Sequence, residues 1–189
     1  MSEFCSPACG YALANHRTRQ AAERKRLREA RELKARRVAI KKPVEWAADA
    51  QKAFNSFIRI RDAGLDCPSC GASEAEVERK QAWKPGGAWD AGHFRSRGAA
   101  ANLRYNTFNC HRQCKSCNGG SGNWGHTRNK AETITQAYRE TLVRRIGLER
   151  VEALEQNNEP RTFDIDYLKR VKRIFARRAR HYRKIRGLA

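Results

Sequence analysis

Hydrophobic positions in this chain fall into clusters at helical spacing, parted by polar or glycine-rich stretches. After Pro43, "VEWAADAQKAFNSFIRIRDAG" sets Trp46, Ala50, Phe54, Phe57 and Ile58 on one face. That period predicts an amphipathic core helix whose aromatics serve packing, with Gly64 as a cap just beyond it. Farther on, "WDAGHF" and "LRYNTFN" read as two short strands. The stretch "ASEAEVERKQAWKPGGA" before them reads as irregular. Residues 128–156 predict a pair of helices, with Tyr138, Leu142 and Ile146 on one face, then Val151 and Leu154. "NNEP" at 157–160 interrupts the pattern. Thr162 is then the expected N-cap of a last helix in which Ile165, Leu168, Val171, Phe175, Tyr182 and Ile185 face inward.

One long stretch lacks such a face. "RTRQAAERKRLREARELKARRVAIKK", residues 17–42, is rich in helix formers but has only a thin apolar stripe at Leu27, Ala30 and Leu33. A helix with so little to bury is either solvated or waits for a partner. Pro43 ends it. The chain therefore divides into a partial cysteine motif (1–16), a basic helical arm (17–42), a cysteine-bounded core with its preceding helix (43–127) and a helical C-terminal region (128–189). The expected class is α+β, a small core flanked by long basic helices. No internal repeat is present.

Charge narrows the function. Forty Lys and Arg face twenty Asp and Glu, a formal charge of +20 over 189 residues. Such an excess calls for a polyanionic partner. No apolar run approaches the roughly 18–20 residues of a membrane span, and the N-terminus lacks an apolar signal core. A cytoplasmic nucleic-acid-binding protein with no membrane role is the expectation. The last helix concentrates the charge at Lys169, Arg170, Arg173 and Arg177, which are expected to meet nucleic acid.

Seven cysteines form two close pairs and a triplet. Cys67-x2-Cys70 and Cys114-x2-Cys117 are two knuckles, together the four soft ligands of one structural zinc site. A redox CxxC needs one pair and leaves the second unexplained. Four thiolates leave no open position, so this metal is not the catalyst. Cys110 reads as a buried apolar side chain rather than a substitute ligand. His111 suits an orienting hydrogen bond better than ligation. Cys5 and Cys9 are half of a site completed elsewhere, or a remnant.

Between and beside the knuckles lie Asp90, His93, Asn109 and Asn118. Phosphodiester hydrolysis needs a base for water and a hard cation against developing negative charge. A neutral imidazole suits the first task; carboxylate and amide oxygens suit Mg²⁺ or Mn²⁺. Arg95, Arg97 and Arg104 lie near the histidine and are expected to meet phosphates.

At "CPSCG", "WDAGHFRSRG", "LRYNTFNCHRQCKSCN" and "SGN" the chain resembles the NinG (Rap) family of lambdoid phages, with an HNH, or ββα-metal, nuclease core. The resemblance covers residues 44–150 well and the tail loosely. It implies His93 as general base, Asn118 as metal ligand, and Asn109 as the residue that orients the histidine and braces the ββα turn. Asn109 stands five residues before Cys114, and Asn118 directly follows Cys117, as the HNH pattern has them. The chain departs from it at Gly92, where many HNH enzymes carry a metal-binding Asp or His; Asp90 is the nearest carboxylate and takes that role. Asn123 and His126 are further possible ligands. The family often carries a fuller cysteine cluster at the N-terminus.

The resemblance implies a structure-specific DNA endonuclease, cutting four-way (Holliday) junctions and D-loops in phage recombination within the bacterial host. A homodimer and recombination-protein partners fit that role. The alternatives are a non-catalytic zinc module that binds nucleic acid and an HNH nuclease that cuts linear duplex.

Overall fold

The computed structural model describes residues 5–120 and 128–187, leaving aside the side chains of residue 120 and of 128–133. It forms two compact units, Met1–Lys42 and Pro43–Ala189.

The first unit is one helix, α1 (Pro7–Ala39), in which no residue is buried. Pro7 stands in its first turn and the Ser6 hydroxyl accepts from the Cys9 amide, a start signal that the sequence reading passed over. The helix therefore runs unbroken through position 17, and the cysteine motif and basic arm are a single element. Cys5 and Cys9 lie exposed at its beginning.

In the second unit, Pro43 opens α2 (Pro43–Arg61) rather than only closing what precedes it. Its buried face, Ala50, Phe54, Phe57 and Ile58, packs against Leu168, Val171, Phe175 and Ala179 of α7 (Ile165–Arg186). The two helices run in the same direction: Lys172 pairs with Asp49 near their starts, and Arg186 donates to the Arg61 and Ala63 carbonyls at their ends. Phe175 meets Phe54 edge-on at 4.9 Å and Phe57 at 5.3 Å. Burying each such ring contributes about 1.5–3 kcal/mol, so this pair of helices is the mechanical base of the unit. The cap of α7 is Asp164, whose carboxylate accepts from the Tyr167 amide, not Thr162. Ile185, expected inside, is 62% exposed, and it is Arg186 beside it that bonds the end of α2.

Across this base lies a two-stranded antiparallel sheet of β1 (Trp89–His93) and β2 (Cys110–Cys114), with Trp89 opposite Cys114 and His93 opposite Cys110. The second strand is "CHRQC", not the "LRYNTFN" that the sequence suggested. That earlier stretch forms a 3-10 turn (Ala101–Leu103) and the bend leading into β2. The "irregular" segment contains α3 (Glu74–Gln81), capped by Ser73 accepting from the Glu76 amide. Ser73-x-x-Glu76 is a capping-box signature that was legible all along.

After β2 comes the short α4 (Lys115–Gly120), then α5 (Arg128–Ile146) and α6 (Leu148–Gln156). Tyr138, Leu142 and Val151 form their own core with Phe94, and Leu154 packs with Ala100 and Leu103 beneath the 3-10 turn. The result is a helix-rich α+β unit with one small sheet.

Candidate active site

Two chemically distinct centres flank the sheet. At one end, the sulfurs of Cys67, Cys70, Cys114 and Cys117 all lie within 4.8 Å of one another, with Cys70 and Cys114 at 3.9 Å. A tetrahedral zinc with bonds near 2.3 Å sets its sulfurs about 3.8 Å apart, so this cage fits that ion. The first knuckle is shaped by Gly71, whose φ of +69° turns the chain while its amide donates to the Cys67 carbonyl. The four thiols crowd one another: hydrogen bonds from Cys114 and Cys117 hold Cys67 far below the usual thiol range, while burial pushes Cys70 up to about 11. Four sulfurs gathered this closely suit a cation that would hold them all as thiolates. Cys110 stays outside the cage, fully buried, and its thiol is pushed up by that burial.

His111 also stays outside. Its Nε2 donates to the Phe108 carbonyl at 3.1 Å, which leaves Nδ1 to accept from Arg61. Arg61 grips both oxygens of the buried Asp62 at 2.6 and 2.7 Å and reaches the Thr107 and Cys110 carbonyls. Asp62 in turn accepts from the Arg112 amide of β2. Burial pushes the Asp62 carboxyl up, but the hydrogen bonds and charge of Arg61 outweigh it and hold it well below the ordinary range. This buried network fastens the end of α2 to β2. The sequence reading missed it, because Arg61 and Asp62 lie some fifty positions from their partners.

The second centre is a cleft of about 480 Å³ whose lining includes Gln51, Asn55, Asp90, His93, Arg97 and Asn118. Asn118 on α4 donates to Asp90 on β1 at 3.0 Å. His93 closes β1, one ring face stacked on Phe54 with centroids 6.0 Å apart. Its Nε2 donates to the Arg104 carbonyl at 2.9 Å, so Nδ1 carries the lone pair, 3.7 Å from the Cys110 sulfur. Burial, then the charges of Arg97 and Arg104, lower its pKa against the opposing Arg104 carbonyl bond. The imidazole is thus neutral near pH 7.

Asn109 is fully buried and does not touch the ring. Its amide oxygen accepts from the Arg95 amide, and its Nδ2 donates to the Arg95 and Leu103 carbonyls. It thereby fixes both ends of the loop that joins His93 to Arg104, and orients the histidine through that loop. The buried Tyr138 hydroxyl donates to the Gly92 carbonyl at 2.9 Å, pinning β1 next to His93.

Gly92 is glycine for a steric reason. A Cβ there would run into the Gln113 side chain, itself bonded to Ser69. No metal-binding side chain fits at this position, and Asp90 is the carboxylate that the strand presents to the cleft.

The arginines divide. Arg95 is spent inside the protein: it donates to the Leu154 and Asn157 carbonyls and to Asn158, closing the end of α6. That corrects its assignment to phosphate contact. Arg97 is exposed on the cleft and has no hydrogen bond or ion pair among the described residues. Arg104 donates from Nε to Gln51 at 2.7 Å. Arg170, Arg173 and Arg177 are exposed on α7, while Lys169 pairs with Asp166 and lies over Trp46. Asn123 and His126 lie outside the described residues. Gln51 and Asn55 had been read only as part of a packing helix; a glutamine on the apolar face beside Ala50 and Phe54 was the signal to notice.

No helix among the described residues is long and apolar enough to cross a membrane. A family model described as "Bacteriophage Lambda NinG protein" matches residues 1–185. "Protein ninG" of Escherichia phage lambda is 34% identical over 98% of this chain and 86% of its own length. The protein of the same name from Salmonella phage P22 is 32% identical over 98% of this chain and 87% of its own length. That from Escherichia phage 933W is 32% identical over 83% of this chain and 68% of its own. No solved structure matches.

Proposed function

The chain belongs to the NinG family of phage proteins, and on that footing we propose that it is an HNH-type, metal-dependent DNA endonuclease acting on branched recombination intermediates. The observation that carries this reading is the shared cleft of Asp90, His93 and Asn118, built where the sheet turns into α4 and separate from the thiolate cage.

Asp90 and Asn118, which lie within 3.0 Å through the Asn118 N–H, would hold Mg²⁺ or Mn²⁺ once the Asn118 amide offers its oxygen beside the Asp90 carboxylate. When bound, the ion offsets charge developing on the phosphate and the departing 3′ oxygen. His93, kept neutral by burial and held in one tautomer by the Arg104 carbonyl, takes a proton from the attacking water. The buried Asn109 holds the neighbouring Leu103 carbonyl and with it the loop that carries Arg104, and Arg97, exposed on the cleft, draws the phosphate in. Expected products carry a 5′-phosphate and a 3′-hydroxyl. The zinc cage takes no part in the chemistry and holds β2 and the start of α4 in register. Exposed arginines on α7 supply sequence-independent backbone contacts, which suits recognition of shape.

The test is cleavage of a synthetic four-way junction and of its component linear duplexes in Mg²⁺ and in EDTA, with wild type and His93→Ala. The reading expects junction cutting that requires metal and His93, with DNA binding retained in the variant. Equal rates on junction and duplex would leave a nuclease without branch preference. Binding with no metal-dependent cutting by wild type would leave a non-catalytic module.

A further inference from the structure

Gln51 and Asn55 bring α2 into the lining of the cleft, and their polar groups are ordered in one direction. Arg104 can only donate, so Gln51, 7% exposed, must turn Oε1 toward it, at 2.7 Å. Gln51 Nε2 then points the other way and donates to Asn55 Oδ1 at 2.6 Å. The Asn55 oxygen being engaged, its Nδ2 remains. That group has no hydrogen-bond partner among the described residues, is not buried, and belongs to a residue lining the cleft. An amide chain anchored by a guanidinium at one end thus presents an N–H donor at the other.

We propose that Asn55 Nδ2, oriented by the Arg104–Gln51 relay and flanked by Arg97, forms an anion subsite that binds a non-bridging oxygen of a substrate phosphodiester. The alternative for an asparagine in such a cleft, ligation of the cation, requires its oxygen, and the relay turns that oxygen away. The lining of the cleft thus holds groups of both kinds: the Asp90 carboxylate, and the N–H donors of Asn55 and Arg97. A phosphate in the cleft would meet those donors. The subsite rests on the nuclease reading for its role in turnover, but its affinity for phosphate is measurable without turnover.

The experiment uses the full chain with its zinc. Dissociation constants for a fluorescent four-way junction are measured in EDTA, and KM and kcat in Mg²⁺, for wild type, Asn55→Ala, Gln51→Glu and the double variant. Asn55→Ala removes the donor, and both KM and the dissociation constant are expected to rise about tenfold, the loss of one hydrogen bond to a charged oxygen, with kcat nearly unchanged. Gln51→Glu keeps Asn55 but can only accept, so the Asn55 amide must turn over and offer its oxygen; the same rise is expected. In the double variant the effects do not add, because both act through one N–H.

A wild-type dissociation constant for either single variant, with zinc content and melting temperature retained, overturns the subsite. So does additivity, which would mean that the charge of Gln51→Glu repels DNA by itself. A rise in the Mg²⁺ concentration needed for cutting by Asn55→Ala would make Asn55 a ligand and likewise overturn it. Absence of cutting by wild type would sink the nuclease reading alone, since the dissociation constants would still judge the subsite.

Discussion

His93 donates from Nε2 to the carbonyl of Arg104 across 2.9 Å, and that bond leaves Nδ1, 3.7 Å from the Cys110 sulfur, as the ring nitrogen with the lone pair. In the proposed reaction Nδ1 is the base. Burial first, then the nearby guanidinium groups, lower the pKa from 6.5, so the neutral form persists on the acid side of the usual histidine range. The acid limb of the rate against pH is expected below about pH 6.5. The same shift acts on stability. Below 6.5 the unfolded chain takes up a proton that the folded His93 refuses, so stability falls as the solution is acidified, and His93→Gln should flatten that dependence in denaturant titrations.

Removing one sulfur from the cage should undo more than a metal site. Structural zinc binds with roughly 10–16 kcal/mol, comparable to or greater than the whole stability of an ordinary domain. Cys114→Ser is therefore expected to lose the bound zinc and the cooperative melting of the sheet, whereas Cys110→Ala, outside the cage, keeps one equivalent of zinc. Elemental analysis with circular dichroism on both variants decides it. Equal zinc loss would put Cys110 into the ligand set.

Asn109→Ala should act on the fold as well as on activity. It strands the amide and carbonyl of Arg95 and leaves a void where a fully buried amide stood. A loss of about 3 kcal/mol in chemical denaturation is expected. An unchanged midpoint would contradict the brace.

Gly92→Asp supplies the carboxylate that the proposed HNH reading would place next to His93, yet here it is expected to destabilise the fold. Its Cβ would occupy space held by Gln113, whose amide is bonded to Ser69. Gln113→Gly in the same chain opens that space. Partial recovery of folding in the double variant, followed by thermal melting, checks the steric cause.

The two groups of arginine should separate by salt. Arg173→Ala and Arg177→Ala are each expected to reduce the slope of log affinity against log salt by about one. Arg95→Ala should leave that slope alone and lower the melting temperature, since its donors close the end of α6. A reduced slope for Arg95→Ala would return it to the DNA-contacting set.

How much of this was written in the sequence depends on how far apart the partners lie. The two CxxC pairs could be joined on paper, because soft ligands at fixed spacing have few other uses, and they do meet. The core face of α2 was legible from its period. The capping box at Ser73 was equally local and was overlooked beneath a weak apolar pattern. Arg95, by contrast, looked like any other basic residue near the histidine. Its real partners are carbonyls some sixty positions onward, and a backbone carbonyl has no signature in a string of letters. The strand was placed too early for a related reason. "LRYNTFN" has strand-like residues, but its backbone closes tight turns instead, with the Asn106 amide on the Leu103 carbonyl, the Asn109 amide on the Asn106 carbonyl, and the Phe108 amide on the Asn106 side chain.

The last long helix holds Phe175 against Phe54, and Phe54 is the ring on which the His93 imidazole lies. A ribosome that has delivered everything up to Gln156 has thus released both the thiolates and the imidazole, but not the wall behind them. Until residues 165–186 emerge, the imidazole sits on an unbacked ring, so on the proposed nuclease reading the growing polypeptide would be harmless to any DNA it meets during translation.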